Sequence, residues 1–295
     1  NVSASVLDVG GSASHSLGYD TKGVFIRPDF YHIDQSLQLS LEALRQFLTA
    51  YDQTAAISGV LLVRKLSSLW SASAGFSTEH EHVLEDPSGL AVPFNYTLLM
   101  VPLSVLYNST EVASPLQDEL HGVRATLIVT PTESLGTANA TFIVAQLSAA
   151  TFFDLTPPGA QGRSVLALRG LIGRALGAAQ DSLPPDQRFY GGGSATLRGY
   201  RYQSVGPVFP DGNSKGGTEI AAGTVEFRQR FGRNFGGALF VDAAAVGVGT
   251  QPLSGQILVG VGTGIRYYTP IGAIRLDVAV PLRRRGAGEA VQDAF

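Results

Sequence analysis

Residues 191–200, Gly-Gly-Gly-Ser-Ala-Thr-Leu-Arg-Gly-Tyr, carry an arginine at the end of a flexible and otherwise weakly polar run. A guanidinium is always charged, and its planar fork fits a carboxylate through two parallel hydrogen bonds. The chemistry open to Arg198 is therefore carboxylate binding. Gly191, Gly192 and Gly193 let the backbone turn and approach a neighbour closely. Taken alone, an arginine beside such a turn is most often a solvated surface charge. A second group is Thr-Glu-His-Glu-His-Val at 78–83, where His80 and His82 would share one face of a strand between Glu79 and Glu81. No third ligand is evident, so a polar strand end is expected there and no metal. Gly-Val-Gly-Thr-Gly at 260–264 alternates glycines inside a strand pattern, a sign of close backbone approach. The 191–199 run lacks Gly-Lys-Ser/Thr and no helix pattern follows it, so it is not a phosphate loop. No Gly-x-Ser-x-Gly elbow occurs. Neither an enzyme nor a cofactor is expected.

The elements that would hold these residues are legible in the composition. Of 295 residues only 15% are charged, where roughly 25% is usual, and 35 are glycine. The net charge of -3 excludes a strongly basic nucleic-acid footprint, so no nucleic-acid partner is expected. There is no cysteine, which excludes a disulfide framework and a thiolate metal site. The longest apolar run, 91–107, is broken by two prolines and an asparagine and is too short for a membrane helix. The first residues, Asn-Val-Ser-Ala-Ser, show no signal-peptide pattern.

Period 2 dominates the chain. At 273–282, Ile274, Leu276, Val278, Val280 and Leu282 alternate with Arg275, Asp277, Ala279 and Pro281. At 222–231, Val225, Phe227 and Phe231 oppose Thr224, Glu226, Arg228 and Arg230. Such alternation marks strands with one apolar and one polar face. Thirteen strands are predicted, near 1–8, 15–27, 36–48, 53–66, 69–83, 94–108, 121–132, 140–153, 163–176, 217–231, 236–248, 257–268 and 273–283. The run 37–48 also fits a helix; it is assigned as a strand because its neighbours are strands. Longer irregular stretches are expected around 108–121, 177–198 and 200–217, and nothing resembles an interdomain linker.

Two architectures share this rhythm. A soluble β-sandwich would turn its apolar faces inward. An outer-membrane β-barrel would turn them to lipid and line a lumen with the polar ones. The polar faces here hold Gly, Ser, Thr and Ala with isolated Arg, Glu and Asp, rather than the Lys and Glu of a solvated face. Many strands also reach ten residues, the length a tilted membrane strand needs. The barrel is favoured, and the sandwich binding module remains the alternative of another class.

Residues 188–207, Arg-Phe-Tyr-Gly-Gly-Gly-Ser-Ala-Thr-Leu-Arg-Gly-Tyr-Arg-Tyr-Gln-Ser-Val-Gly-Pro, resemble the sixth extracellular loop of the BamA/TamA superfamily of outer-membrane assembly factors. The runs 216–231, 237–247 and 260–282 resemble that family's twelfth to fifteenth strands, and Pro-Ile-Gly-Ala-Ile-Arg-Leu-Asp-Val-Ala-Val-Pro-Leu is closer to the TamA branch. The motifs span about 183–283.

The resemblance implies an all-β, antiparallel transmembrane barrel over residues 1–295, sixteen-stranded in the family. About thirteen strands are expected here, without the first two, the last, or the periplasmic POTRA domains. It implies that the loop folds into the lumen, with Arg198 held by Glu226 and Asp242 while Gly199 and Tyr200 complete the tip against the wall. It implies a Gram-negative outer-membrane location, among lipid bilayer and lipopolysaccharide, whose phosphates the basic run 283–285 could face. The implied function is insertion of other outer-membrane proteins, autotransporters among them, through a lateral seam. The implied partners are those client barrels and a TamB-type protein anchored in the inner membrane and reached through POTRA domains. A BamA-type insertase, a two-partner secretion pore and a diffusion porin remain alternatives.

Overall fold

A computed structural model describes residues 2–5, 18–85, 92–112, 118–157, 162–249, 254–269 and 272–282. The basic run 283–285 and the closing residues of the chain lie outside them. The described residues form one antiparallel sheet of β1 (Val2–Ser5), β2 (Tyr19–Arg27), β3 (Gln35–Phe47), β4 (Asp52–Lys65), β5 (Trp70–Glu85), β6 (Val92–Met100), β7 (Leu103–Asn108), β8 (Gly122–Gly136), β9 (Ala140–Asp154), β10 (Ser164–Leu176), β11 (Glu219–Phe231), β12 (Phe235–Gly247), β13 (Leu258–Thr269) and β14 (Gly272–Pro281). Each strand pairs with its neighbours in chain order, with β6 and β7 sharing one position between β5 and β8.

All thirteen expected strands are present, and the ambiguous run at 37–48 is a strand. Its register with β2 and β4 is continuous: Leu41 faces Gly23 on one side and Ser58 on the other. A helix there would leave the edges of β2 and β4 without ladder partners. The run expected as one strand at 94–108 is instead divided into β6 and β7 at Val101 and Pro102. Proline has no N–H to give to the ladder. The carbonyl of Pro102 still accepts from Gly75 N (3.0 Å), and the register against β5 and β8 runs through the break unchanged.

The sheet is turned inside out relative to a soluble protein. Leu41, Val225, Leu239, Ile265, Leu276 and Val278 are all more than half exposed, while Glu81, Glu226, Asp242 and Arg266 are buried. A face of this kind is stable against acyl chains. It overturns the sandwich, whose apolar faces would meet in a closed interior.

The sheet is also curled. Asp118, four residues before β8, bonds Arg275 on β14 at 2.5 Å. Six strand positions separate β8 from β14, which would be about 29 Å across a flat sheet at ~4.8 Å per strand. Inside the curl lies the long β10–β11 loop, residues 177–218. Two 3-10 turns, η1 (Gln180–Ser182) and η2 (Pro185–Gln187), open it. Leu197 and Val205 of the loop pack with Ile220, Ala244, Val246 and Leu258 of the inner wall, so the polar face of this sheet carries an apolar patch where the loop covers it.

Candidate functional site: an arginine held by three strands

Phe189 and Gly217 exchange backbone hydrogen bonds of 2.8 and 2.7 Å, which pinches the loop at its neck. Beyond the neck the chain doubles back. Gly191 and Val205 form an antiparallel bridge, and Leu197 N reaches Gly193 O at 3.1 Å. Gly192 has φ +101, and a Cβ there would strike the carbonyl oxygen of Arg201. Gly191 is needed for space, because its Cβ would come within 3.1 Å of Val205. At the tip, Gly199 has φ +92, a conformation costly for any side chain.

The tip delivers Arg198 to the wall. Its Nε donates to Asp242 Oδ2 at 2.7 Å and its Nη2 to Asp242 Oδ1 at 2.9 Å, a bidentate pair. Its backbone N–H also donates to Asp242 Oδ2, at 3.1 Å. Nη1 donates to Glu226 Oε2 at 3.0 Å and to Asp277 Oδ2 at 2.9 Å. The guanidinium carbon sits 3.3 Å from the centre of the Phe240 ring, within cation–π range. Tyr200 Oη donates to the carbonyl of Val259 at 3.2 Å, and its ring packs against the apolar cluster that holds Leu197 and Val205. Burial alone would lower the Arg198 pKa; the carboxylates of Asp242 and Glu226 outweigh it and raise the group above its ordinary value.

The register explains how residues so far apart in sequence converge. Inward positions on neighbouring strands line up as Glu226 opposite Phe240, Phe240 opposite Gly262, Asp242 opposite Gly260, and Gly264 opposite Asp277. Strand β13 supplies room rather than acid. A Cβ on Gly260 would meet the carbonyl of Arg198, one on Gly262 the Phe240 ring, and one on Gly264 the Asp277 carboxylate. Two further cations balance the charge: Arg228 Nε donates to Glu226 Oε1 at 2.8 Å, and Arg266 pairs with Asp277. Three guanidinium groups thus meet three carboxylates.

The expected residues Arg198, Gly199, Tyr200, Glu226 and Asp242 are brought together, with Gly191, Gly192 and Gly193 at the base of the same turn. Asp277 and Phe240 went unread. Asp277 carried a visible signal, as the one acid on the polar face of β14. His80 and His82 point to the outer face, where they bond Thr97 and Asn95 at 3.0 and 2.9 Å, as the polar-strand-end reading expects.

An apolar outer face, a polar inner face and a charged loop seated within define a transmembrane β-barrel with an occupied lumen. The chain belongs to the Omp85 superfamily, whose domain matches residues 7–295. Its fold is similar to that of BamA from Haemophilus ducreyi lacking POTRA domains 1-3, with a TM-score of 0.75 at 15% identity over 94% of this chain and 60% of that one. It is also similar to CdiB from Acinetobacter baumannii, with a TM-score of 0.59 at 16% identity over 91% of this chain and 47% of that one. The chain therefore spans less than two thirds of either protein.

Proposed function

We propose that this barrel inserts and assembles other outer-membrane β-barrel proteins, autotransporters among them, in a Gram-negative outer membrane, as a TamA-type member of its superfamily. The observation that carries this reading is the loop tied by Arg198 to β11, β12 and β14 at once. A diffusion pore has no use for such a brace, whereas a barrel that must part at a seam without collapsing does. When the first and last strands of the barrel separate, unpaired N–H and C=O groups face the bilayer. A client strand pairs with that edge and so enters lipid with its own backbone satisfied. No nucleotide is consumed. A TamB-type partner anchored in the inner membrane would act through POTRA domains.

The test is a complementation assay in cells lacking the native protein, scoring heat-modifiable client barrels on gels. Arg198→Ala should lower assembled client several-fold at equal expression. Full assembly by the variant would end the reading. The second reading keeps barrel and brace but changes the cargo, to that of a BamA-type insertase or a two-partner secretion pore; the fold likeness to BamA supports it. Cross-linking of arrested clients, followed by their identification, separates the two.

A further inference from the structure

Alternation along β5 turns Glu79, Glu81, Val83 and Glu85 inward and His80 and His82 outward. From the loop, η2 brings Asp186 to the same place, and one carboxylate oxygen from each of Glu79, Glu81 and Asp186 lies within 4.8 Å of the others. Two oxygens bound to one calcium ion at ~2.4 Å each can be at most about 4.8 Å apart, so the three are within the span of a single ion.

The hydrogen-bond accounting around this triad does not close. Gln53 Nε2 donates to Glu81 Oε2 at 2.6 Å and to Glu79 Oε1 at 3.2 Å, and Gln187 donates to Asp186 Oδ2. Arg188 gives Nη1 to Glu85 at 2.5 Å and to Lys215 O at 3.0 Å, and Nε to Leu183 O at 3.0 Å. Glu81 is 1% exposed, and its Oε1 and the buried Oδ1 of Asp186 accept from no donor group among the described residues; the two carboxylates meet each other instead. Two carboxylates that meet in a dehydrated space without a donor between them need positive charge there, either a shared proton or a metal ion, and the third carboxylate of Glu79 within the same span favours the ion.

We propose that Glu79, Glu81 and Asp186 bind a hard divalent cation, calcium foremost, that ties the base of the lumen loop to β5. The donor set is oxygen only, which suits calcium and magnesium rather than zinc or copper. The nearest imidazoles face the other side of the strand, and the chain has no cysteine. Calcium is favoured over magnesium because this asymmetric set of two strand carboxylates and one loop carboxylate suits flexible coordination completed by water. Such an ion would hold the loop on the wall opposite Arg198, so that the loop is fixed at two points ten residues and more apart. The site stands apart from the Arg198 cluster and does not depend on which clients the barrel serves.

The experiment uses the full chain refolded in micelles and stripped with chelator. Terbium(III), a calcium mimic, is titrated in while emission is excited through tyrosine; Tyr51, Tyr96 and Tyr190 cluster beside the site, and Tyr190 Oη bonds the carbonyl of Pro185. A saturable emission with one ion per chain is expected, displaced by calcium at lower concentration than by magnesium. Glu81→Gln and, independently, Asp186→Asn should each weaken binding at least tenfold, while Asp211→Asn, an exposed loop acid, leaves it unchanged. Chelator should lower the unfolding temperature of the native chain but not of Asp186→Asn. Absence of saturable emission, or emission that survives both substitutions, overturns the proposal. So does a chelator-insensitive barrel stabilised by acid, which would mean that Glu81 and Asp186 share a proton instead.

Discussion

Arg198 makes five polar contacts to three carboxylates and covers one aromatic ring, and its side chain is only 9% exposed. Removing one partner from a buried ion pair leaves the others uncompensated, which costs about 3–5 kcal/mol. Arg198→Ala should therefore lower the stability of the barrel to urea in micelles by about that amount, with Asp242 losing the most. Arg198→Lys keeps the charge but cannot span both oxygens of Asp242 while reaching Glu226 and Asp277, so it should recover less than half of the loss. Full recovery by lysine would mean that charge alone matters and that the fork geometry does not. Asp277→Asn should cost less than Asp242→Asn, because Asp277 is the more exposed of the two and makes one contact to Arg198 where Asp242 makes three.

At the scale of elements, β13 shows how a strand contributes by what it lacks. A valine at Gly262 would press on the Phe240 ring from beneath Arg198. Gly262→Val should destabilise the native barrel, and the combined cost of Gly262→Val with Arg198→Ala should fall short of the sum of the two, since both disturb one contact set. A double-mutant cycle by urea unfolding reads this directly. The alternation itself gives a second prediction, on β3. Leu41 faces outward and is 69% exposed, while its neighbour Ser40 faces the lumen. Leu41→Arg should cost about 2–4 kcal/mol near the middle of the bilayer, and Ser40→Arg far less. Equal costs would contradict the assigned faces. The strands and their facing were legible in sequence because period 2 is a local property, and even 37–48 resolved once its neighbours were considered. The glycines at 260–264 signalled close approach. Their partners did not show, because the register of β12, β13 and β14 decides which side chain fills the space. For the same reason Glu226 and Asp242 came from family resemblance, whereas Asp277 and Phe240 emerged only from the pairing. The acids at 79 and 81 looked like flanks of a histidine pair; their buried role depends on Asp186, more than a hundred residues away.

For the whole molecule, the loop decides whether the lumen is a channel. Residues 190–216 leave and re-enter the wall through the paired neck at Phe189 and Gly217, so they can be replaced by an Asn-Gly turn without moving either flanking strand. That replacement removes Arg198, Leu197 and Val205 together and leaves Asp242, Glu226 and Asp277 facing water. The shortened barrel should still fold and insert, since the outer face that meets lipid is untouched. In planar bilayers the native chain should pass a small, flickering current, because the loop lies within the lumen and is tied to its wall through Arg198. The shortened barrel should pass a large and steady current with a cation preference, set by Asp242, which loses its arginine while Glu226 and Asp277 keep Arg228 and Arg266. Arg198→Ala alone should fall between them, with openings more frequent than in the native chain and smaller than in the shortened one. An unchanged current in the shortened barrel would place the obstruction elsewhere, and the lumen loop would then be a passenger rather than the plug.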